Sequence, residues 1–202
     1  MTRCGWAEGS DEMGTYHDTE WGFPVVDDRR LFEKLSLEGF QAGLSWSTIL
    51  RKRPAFRTVF ADFDVATIAG FTEDDVQRLL GDAGIVRHRG KIEAVVNNAA
   101  RAIELVEERG SLAAHLWGFE PDPVTGSRPA YDDVTDAWLG QATTSAESVA
   151  LSKDLRKRGW RFVGPTTAYA FMQAMGLVND HSPVCTFRPQ VEDARRALTR
   201  PV

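Results

Sequence analysis

An all-α fold is predicted by three features of this sequence. Apolar residues recur at helical spacing in several separate windows, capping residues and Gly or Pro breaks bracket those windows, and no run alternates as a strand would. At 202 residues with 43% hydrophobic content the chain can bury a sizeable core. No internal repeat or linker divides it.

Asp27 is placed to cap a helix from Arg29 to about Gly43, with Leu31, Leu35 and Ala42 on its apolar stripe. A second helix is expected from Arg53-Pro54, carrying Phe56, Val59 and Phe60. Thr72 and Asp75 resemble a capping box that opens a third, holding Val76, Leu79 and Leu80 before Gly81. Ile92 to Leu105 reads as a longer helix, with Ile92, Val95, Val96, Ala99, Ala102 and Ile103 in helical register. Glu120 to Thr143, rich in Pro, Gly and Asp, is expected as a long surface loop. Thr144 and Glu147 suggest a capping box for a helix ending near Gly159. A last helix follows Pro165, carries Ala168, Phe171, Met172 and Met175, and stops at Gly176. The polar tail, residues 188–202, is expected to be disordered.

Composition excludes several classes. No apolar run approaches the ~20 residues that span a bilayer, and the first residues lack the apolar core of a signal peptide. Two cysteines are too few for a disulfide framework, so a cytoplasmic protein without membrane contact is expected. The net charge of −5 offers no global attraction to nucleic acid, and any such binding requires a local basic patch.

The two cysteines stand near opposite ends, each with a histidine close by: Cys4 with His17, and His181 with Cys185. Two thiolates and two imidazoles complete a tetrahedral zinc shell with no open position, a structural clasp between the N- and C-terminal regions. The matched pairing favours zinc; two unrelated buried thiols with surface histidines, or a Cys4–Cys185 disulfide, are the alternatives that spacing leaves open.

Glu38 falls at the centre of the stripe formed by Leu31, Leu35 and Ala42, where a carboxylate must be paired, hydrogen-bonded or kept for chemistry. An ion pair with Lys34 or Lys52 is the structural alternative. Gly43 ends that helix, and the bulky Leu44 and Trp46 follow. Trp6, Tyr16, Trp21 and Trp46 all lie within the first 46 residues; an aromatic pocket with one buried acid suits a flat, cationic ligand. Farther on, Gly84 and Gly90 mark a short hairpin near residues 79–92. Arg87, His88, Arg89 and Lys91 supply local positive charge at a helix N-terminus able to face phosphate.

The blocks Arg3-Cys4-Gly5-Trp6, Tyr16-His17-Asp18, Glu20-Trp21-Gly22, Leu37-Glu38-Gly39, Gln41-Ala42-Gly43-Leu44-Ser45-Trp46, Asp82-Ala83-Gly84-Ile85, Arg87-His88-Arg89-Gly90-Lys91-Ile92 and Gly176-Leu177-Val178-Asn179-Asp180-His181 resemble, in order, the DNA-3-methyladenine glycosylase I family of the helix-hairpin-helix superfamily. The resemblance runs from Arg3 to about Cys185. It implies a single glycosylase domain over residues 1–187, all-α and in two lobes, with the lesion pocket between them. It also implies one structural zinc ion on Cys4, His17, His181 and Cys185, and duplex DNA containing alkylated bases as the partner of a monomer.

The implied reaction is hydrolysis of the N-glycosidic bond of N3-methyladenine without a lyase step. By resemblance Glu38 accepts hydrogen bonds from the flipped base and opposes its charge. Tyr16 and Trp46 stack on or touch the ring, and Trp6 and Trp21 form neighbouring walls. Leu44, on the turn begun by Gly43, is the candidate wedge in the duplex, and Arg87, His88, Arg89, Gly90 and Lys91 are the candidate backbone contacts. No acid after the hairpin stands out, and the family implies none there. The rival reading is a non-enzymatic, zinc-stabilised damage sensor that binds lesions without releasing the base.

Overall fold

The computed structural model describes residues 1–202, and every regular element in it is helical. A 3-10 turn at Gly5–Gly9 leads into α1 (Asp11–Thr19), where the Ser10 hydroxyl accepts from the Met13 N–H. Next comes α2 (Asp28–Gln41), capped as expected: the Asp27 carboxylate accepts from the Arg30 N–H at 2.8 Å. Gly43, at φ +82°, turns the chain after it in a conformation that favours glycine.

The following helix starts earlier than expected. The Ser45 hydroxyl caps Thr48, so α3 spans Trp46–Val59 and carries Pro54 inside it rather than at its start. Pro54 has no N–H to offer the preceding turn, a local loss that the buried Ile49, Leu50 and Phe56 on the same helix outweigh. Three consecutive non-glycine residues, Ala61, Asp62 and Phe63, then adopt left-handed φ of 50–57°. That strain is tolerated because it seats Phe60 and Phe63, both fully buried, in one stacked aromatic cluster with Phe56.

Short α4 (Val65–Ala69) precedes α5 (Glu73–Gly81), which has the expected reciprocal capping box of Thr72 and Asp75. The long α6 (Arg89–Arg109) packs against α2, α4 and α5. It also meets α7 (Leu112–Trp117), whose first N–H groups are taken by the Asp28 carboxylate at 2.8–3.0 Å. Residues 120–143 are mostly irregular, as expected, and include α8 (Asp136–Leu139). In α9 (Ala146–Lys157) the cap lies one residue later than expected, at Ser145 with Ser148. Glu147 instead holds the irregular segment by accepting from the Ser127 N–H and hydroxyl. Pro165 opens α10 (Pro165–Ala174), which packs on α9 and α2. Gly176 ends this region at φ +80°, where a Cβ would come within 2.6 Å of the Pro24 backbone.

Disorder of residues 188–202 is not found. Arg188–Ala197 form α11, Val191 is fully buried, and Arg195 and Arg200 both reach the Glu120 carboxylate at 2.6–2.9 Å. A ten-residue helix so rich in charge gains its stability from this docking rather than from any apolar stretch long enough to read. No helix is long and apolar enough to cross a membrane.

The feature that shapes the site is the burial of α2 on all sides. Leu31, Phe32, Leu35, Leu37 and Phe40 are almost completely enclosed, and so are the polar Glu33, Lys34, Ser36 and Glu38 between them. Ala42, expected on the apolar stripe, lies past the helix end and is exposed.

Candidate active site

A cavity of about 660 Å³ opens beside α2, lined by Glu38 and Lys34 from that helix and by Tyr16, Trp46, Trp6 and Trp21. The four aromatic residues thus meet around one buried acid. The Tyr16 and Trp46 rings are 5.2 Å apart at 45°, and Trp6 meets Trp21 edge-on at 4.9 Å. Trp6 is 40% exposed at the mouth, whereas Tyr16 and Trp21 are buried.

Glu38 does not stand alone. The Lys34 ammonium, one helical turn away, lies 2.7 Å from Glu38 Oε1 and donates to the Tyr16 hydroxyl at 2.7 Å. It also lies 3.3 Å from the centre of the Trp46 ring and 5.0 Å from that of Tyr16. The pairing of Glu38 with Lys34, the structural alternative at this position, is therefore present, and it is inside the cavity. Burial lowers the Lys34 pKa, against the pull of the Glu38 charge. Burial, reinforced by the Glu38 carboxylate, raises the Tyr16 pKa well above the ordinary range, so the phenol keeps its proton. The Trp46 indole N–H is buried without a partner.

Next to the cavity, Cys4, His17 and Cys185 bring their ligand atoms within 4.8 Å of one another, all three buried. His17 Nε2 is 3.5 Å from Cys185 Sγ. The fourth residue, His181, has its ring 4.9 Å from that of His17, and its Nε2 is buried with no hydrogen-bond partner. Each imidazole has its other nitrogen occupied. His17 Nδ1 meets Asp18 at 2.9 Å, with Arg3 holding the same carboxylate, and His181 Nδ1 meets Asn179 Oδ1 at 3.1 Å. This is the outer arrangement that orients metal-binding histidines. Both cysteines are free, so a disulfide is not formed. Burial pushes the Cys4 thiol up to about 12 and the His181 imidazole down to about 3, which leaves protein atoms alone to stabilise neither thiolate nor imidazolium. Trp21 packs on both histidines, at 6.1 and 4.6 Å, and so belongs to this cluster as much as to the cavity wall.

The turn after α2 presents Leu44 at 43% exposure, an apolar side chain left in solvent. Of the hairpin residues, Arg87 is exposed, and Arg89 is exposed but paired with Glu73 and Glu93. His88 is the N-cap of α6: its Nδ1 accepts from the Lys91 N–H at 3.2 Å. Gly90 packs close to His88 and Phe162.

Lys91 differs from its expected place on the surface. It is buried and donates to the Phe40 and Ala42 carbonyls at 2.8 and 2.6 Å. These carbonyls end α2 without helical partners, so a cation beneath them satisfies both the acceptors and the helix dipole.

Periodicity missed several lining residues. Lys34 and Gln41 come from α2, Gln173 and Asp180 from the α10 region, and Asp136 and Leu139 from α8. The segment 120–143, given no function in the sequence, thus closes one side of the cavity. The Asp180 carboxylate is fixed by Tyr169 and Gln173 at 2.8 Å and by Arg128 at 2.5 Å.

Comparison with known proteins places this geometry. The methyladenine glycosylase family model matches residues 6–189. DNA-3-methyladenine glycosylase 1 of Escherichia coli (strain K12) is 45% identical over 94% of this chain and 98% of its own length. The DNA-3-methyladenine glycosylase of Haemophilus influenzae is 44% identical over 91% and 96%. Among solved structures, 3-methyladenine DNA glycosylase I from Staphylococcus aureus superposes with a TM-score of 0.81 at 35% identity, covering 94% of this chain and 97% of that one. A further structure of this kind of enzyme carries 3-methyladenine, with a TM-score of 0.80 at 34% identity, covering 94% and 98%.

Proposed function

This chain belongs to the methyladenine glycosylase family, and on that premise we propose that it excises N3-methyladenine from DNA with Glu38 and the surrounding aromatic residues as its base-binding machinery. The observation that carries the residue assignment is a buried carboxylate held in an aromatic cavity on the most enclosed helix of the fold. Methylation at N3 leaves the base cationic and weakly stacked, which lowers the cost of turning it out of the duplex. Tyr16 and Trp46 offer electron-rich faces, and cation–π attraction there is up to ~2 kcal/mol, a contribution that neutral adenine lacks.

Bond cleavage needs little acid. The C1′–N9 bond breaks with its electron pair passing to the base, which leaves neutral. The sugar cation takes up water at C1′, and that water gives its proton to solvent or to a nearby base. Glu38, a buried carboxylate paired with Lys34, stabilises the cationic base and the charge shift near it. Tyr16, as a protonated phenol, orients Glu38 through Lys34 and can donate to the base.

The helices α5 and α6, with the turn between them, are read as the helix-hairpin-helix that follows one strand of duplex DNA, with Arg87, Arg89 and the α6 N-terminus facing phosphate. Leu44, exposed on the turn ending α2, is read as the side chain that fills the gap in the stack. Cys4, His17, His181 and Cys185 would hold one zinc ion. The orphaned His181 Nε2 and the two oriented imidazoles support that fit. When bound in a closed shell of four protein ligands, such an ion contributes structure and carries no water for chemistry.

The direct test is chromatographic detection of free bases released from alkylated duplex DNA. Selective release of 3-methyladenine over 7-methylguanine is expected. Tight binding to lesion DNA with no released base would instead favour the damage sensor.

A further inference from the structure

The hairpin has less free positive charge than its sequence suggests. Lys91 is spent on the end of α2, and Arg89 is paired with Glu73 and Glu93, which leaves Arg87 exposed and unpaired. A chain of net charge −5 then needs a further cation beside the hairpin to hold a phosphate backbone. The segment 159–164, between α9 and α10, supplies one. Arg161 is exposed and forms no ion pair, and its neighbour Phe162 is 40% exposed. Phe162 also sits at φ +55°, one of four non-glycine residues in the left-handed region. The other three, at 61–63, seat a buried aromatic cluster, whereas the Phe162 ring is left partly in solvent and burial does not account for its strain. We propose that Arg161 and Phe162 form a second DNA-contacting element beside the hairpin: Arg161 pairs with a backbone phosphate, and Phe162 packs on the adjoining deoxyribose.

The backbone of this segment is pinned from beneath. Buried Asn98 of α6 donates to the Arg161 carbonyl at 2.9 Å and accepts from the Arg161 N–H at 2.8 Å. Asn97 donates to the Gly159 carbonyl at 2.8 Å, and the Ser152 hydroxyl to the Val163 carbonyl at 2.7 Å. Trp160 and Val163 are buried on either side, so the chain is anchored while Arg161 and Phe162 keep their exposure. A contact surface fixed in advance loses little conformational freedom on binding. Phe162 also lies between the two elements read above as touching DNA. Its ring meets His88 edge-on at 6.2 Å and comes near Gly90, both at the start of α6. On its other side it packs on Gly39, where an added Cβ would lie 3.3 Å from Phe162 Cβ, close to the end of α2 and the turn bearing Leu44. A strand held by the hairpin and opened at Leu44 would therefore pass across this segment. Contacts to phosphate and sugar carry no sequence information, which suits a lesion met in any sequence.

This inference rests on the DNA glycosylase reading, and the test separates the two. Binding of duplex DNA carrying a tetrahydrofuran abasic-site analogue is followed by fluorescence anisotropy over a salt series. Quenching of tryptophan fluorescence by free 3-methyladenine and the melting temperature report on the pocket and the fold. Arg161→Gln is expected to weaken duplex binding about fivefold and to make the log–log salt slope shallower by about one. Phe162→Ala is expected to weaken it about tenfold, the scale of one aromatic contact to a nucleotide, with the slope unchanged. Phe162→Gly, which accepts a left-handed φ without strain, gives the same reading if the alanine variant does not fold. Duplex binding within about twofold of wild type for the variants of either residue overturns the two-residue element and leaves the hairpin standing. Loss of free-base binding in parallel with duplex binding makes Phe162 a packing residue over α2 and overturns its DNA role. A wild type that binds 3-methyladenine but not the duplex overturns the DNA-contact reading and this inference together.

Discussion

At the scale of single residues, Glu38 was visible because its position is anomalous: a carboxylate seven residues from Leu31 and three from Leu35 shares their helical face. The cysteines and histidines were visible because they are few and paired in sequence. Lys34 was visible only as a partner for Glu38. Pattern rules assign a lysine to the solvent face, and α2 has none, since packing encloses it on every side. The charge on Glu38 can be separated from its shape. Glu38→Gln keeps the volume and a hydrogen-bonding group while removing the charge opposite the base. Base release is expected to fall roughly 10²-fold, the scale of removing one preorganised electrostatic contact, with helical content and bound metal unchanged. A parallel loss of helicity by circular dichroism would instead make Glu38 a folding residue whose activity loss is secondary.

At the scale of elements, capping chemistry carried most of the successful reading. The Thr72–Asp75 box, the Asp27 cap and Pro165 at a helix start are local signals, and local physics decides them. Where partners are distant the signals fail. The polar α1 and α11 are stabilised by docking, the first through Arg53 of α3 on Glu20 at its C-terminal edge, the second through Glu120. Lys91 is the sharpest instance, since in sequence it belongs to a basic hairpin, while in the fold it joins α6 to the end of α2. The two roles give opposite readouts. As a strut, Lys91→Met removes two charge-assisted hydrogen bonds and is expected to cost about 1.5–3 kcal/mol of stability. The salt dependence of DNA binding should be unaffected. A phosphate contact would show the reverse pattern: little change in denaturant midpoint, and a log–log salt slope shallower by about one.

At the scale of the whole molecule, the site depends on holding together the two ends of the chain. Tyr16 comes from α1 and Glu38 from α2, while Asp180 arrives from the far end of the sequence, so the cavity has walls that no local sequence window contains. The N-terminal end meets the segment just before α11 directly: the Thr186 N–H donates to the Thr2 carbonyl at 2.9 Å, and the Thr2 N–H to the Thr186 hydroxyl at 3.0 Å. The Ser182 N–H points at Cys4 Sγ from 3.3 Å. Such exposed contacts are weak individually, and the Cys/His cluster is where stronger bonding would concentrate. A structural metal there binds the folded state and not the unfolded chain, so its binding free energy adds to stability. Cys4→Ser, or prolonged chelation, is therefore expected to lower the melting temperature by several degrees or more. It should also weaken base release through Tyr16 and Trp21, which flank His17 in sequence and space. Metal analysis of the wild type should give one zinc per chain. A metal-free wild type with an unchanged melting temperature would reduce the cluster to ordinary buried side chains. The cavity would then be held by packing alone.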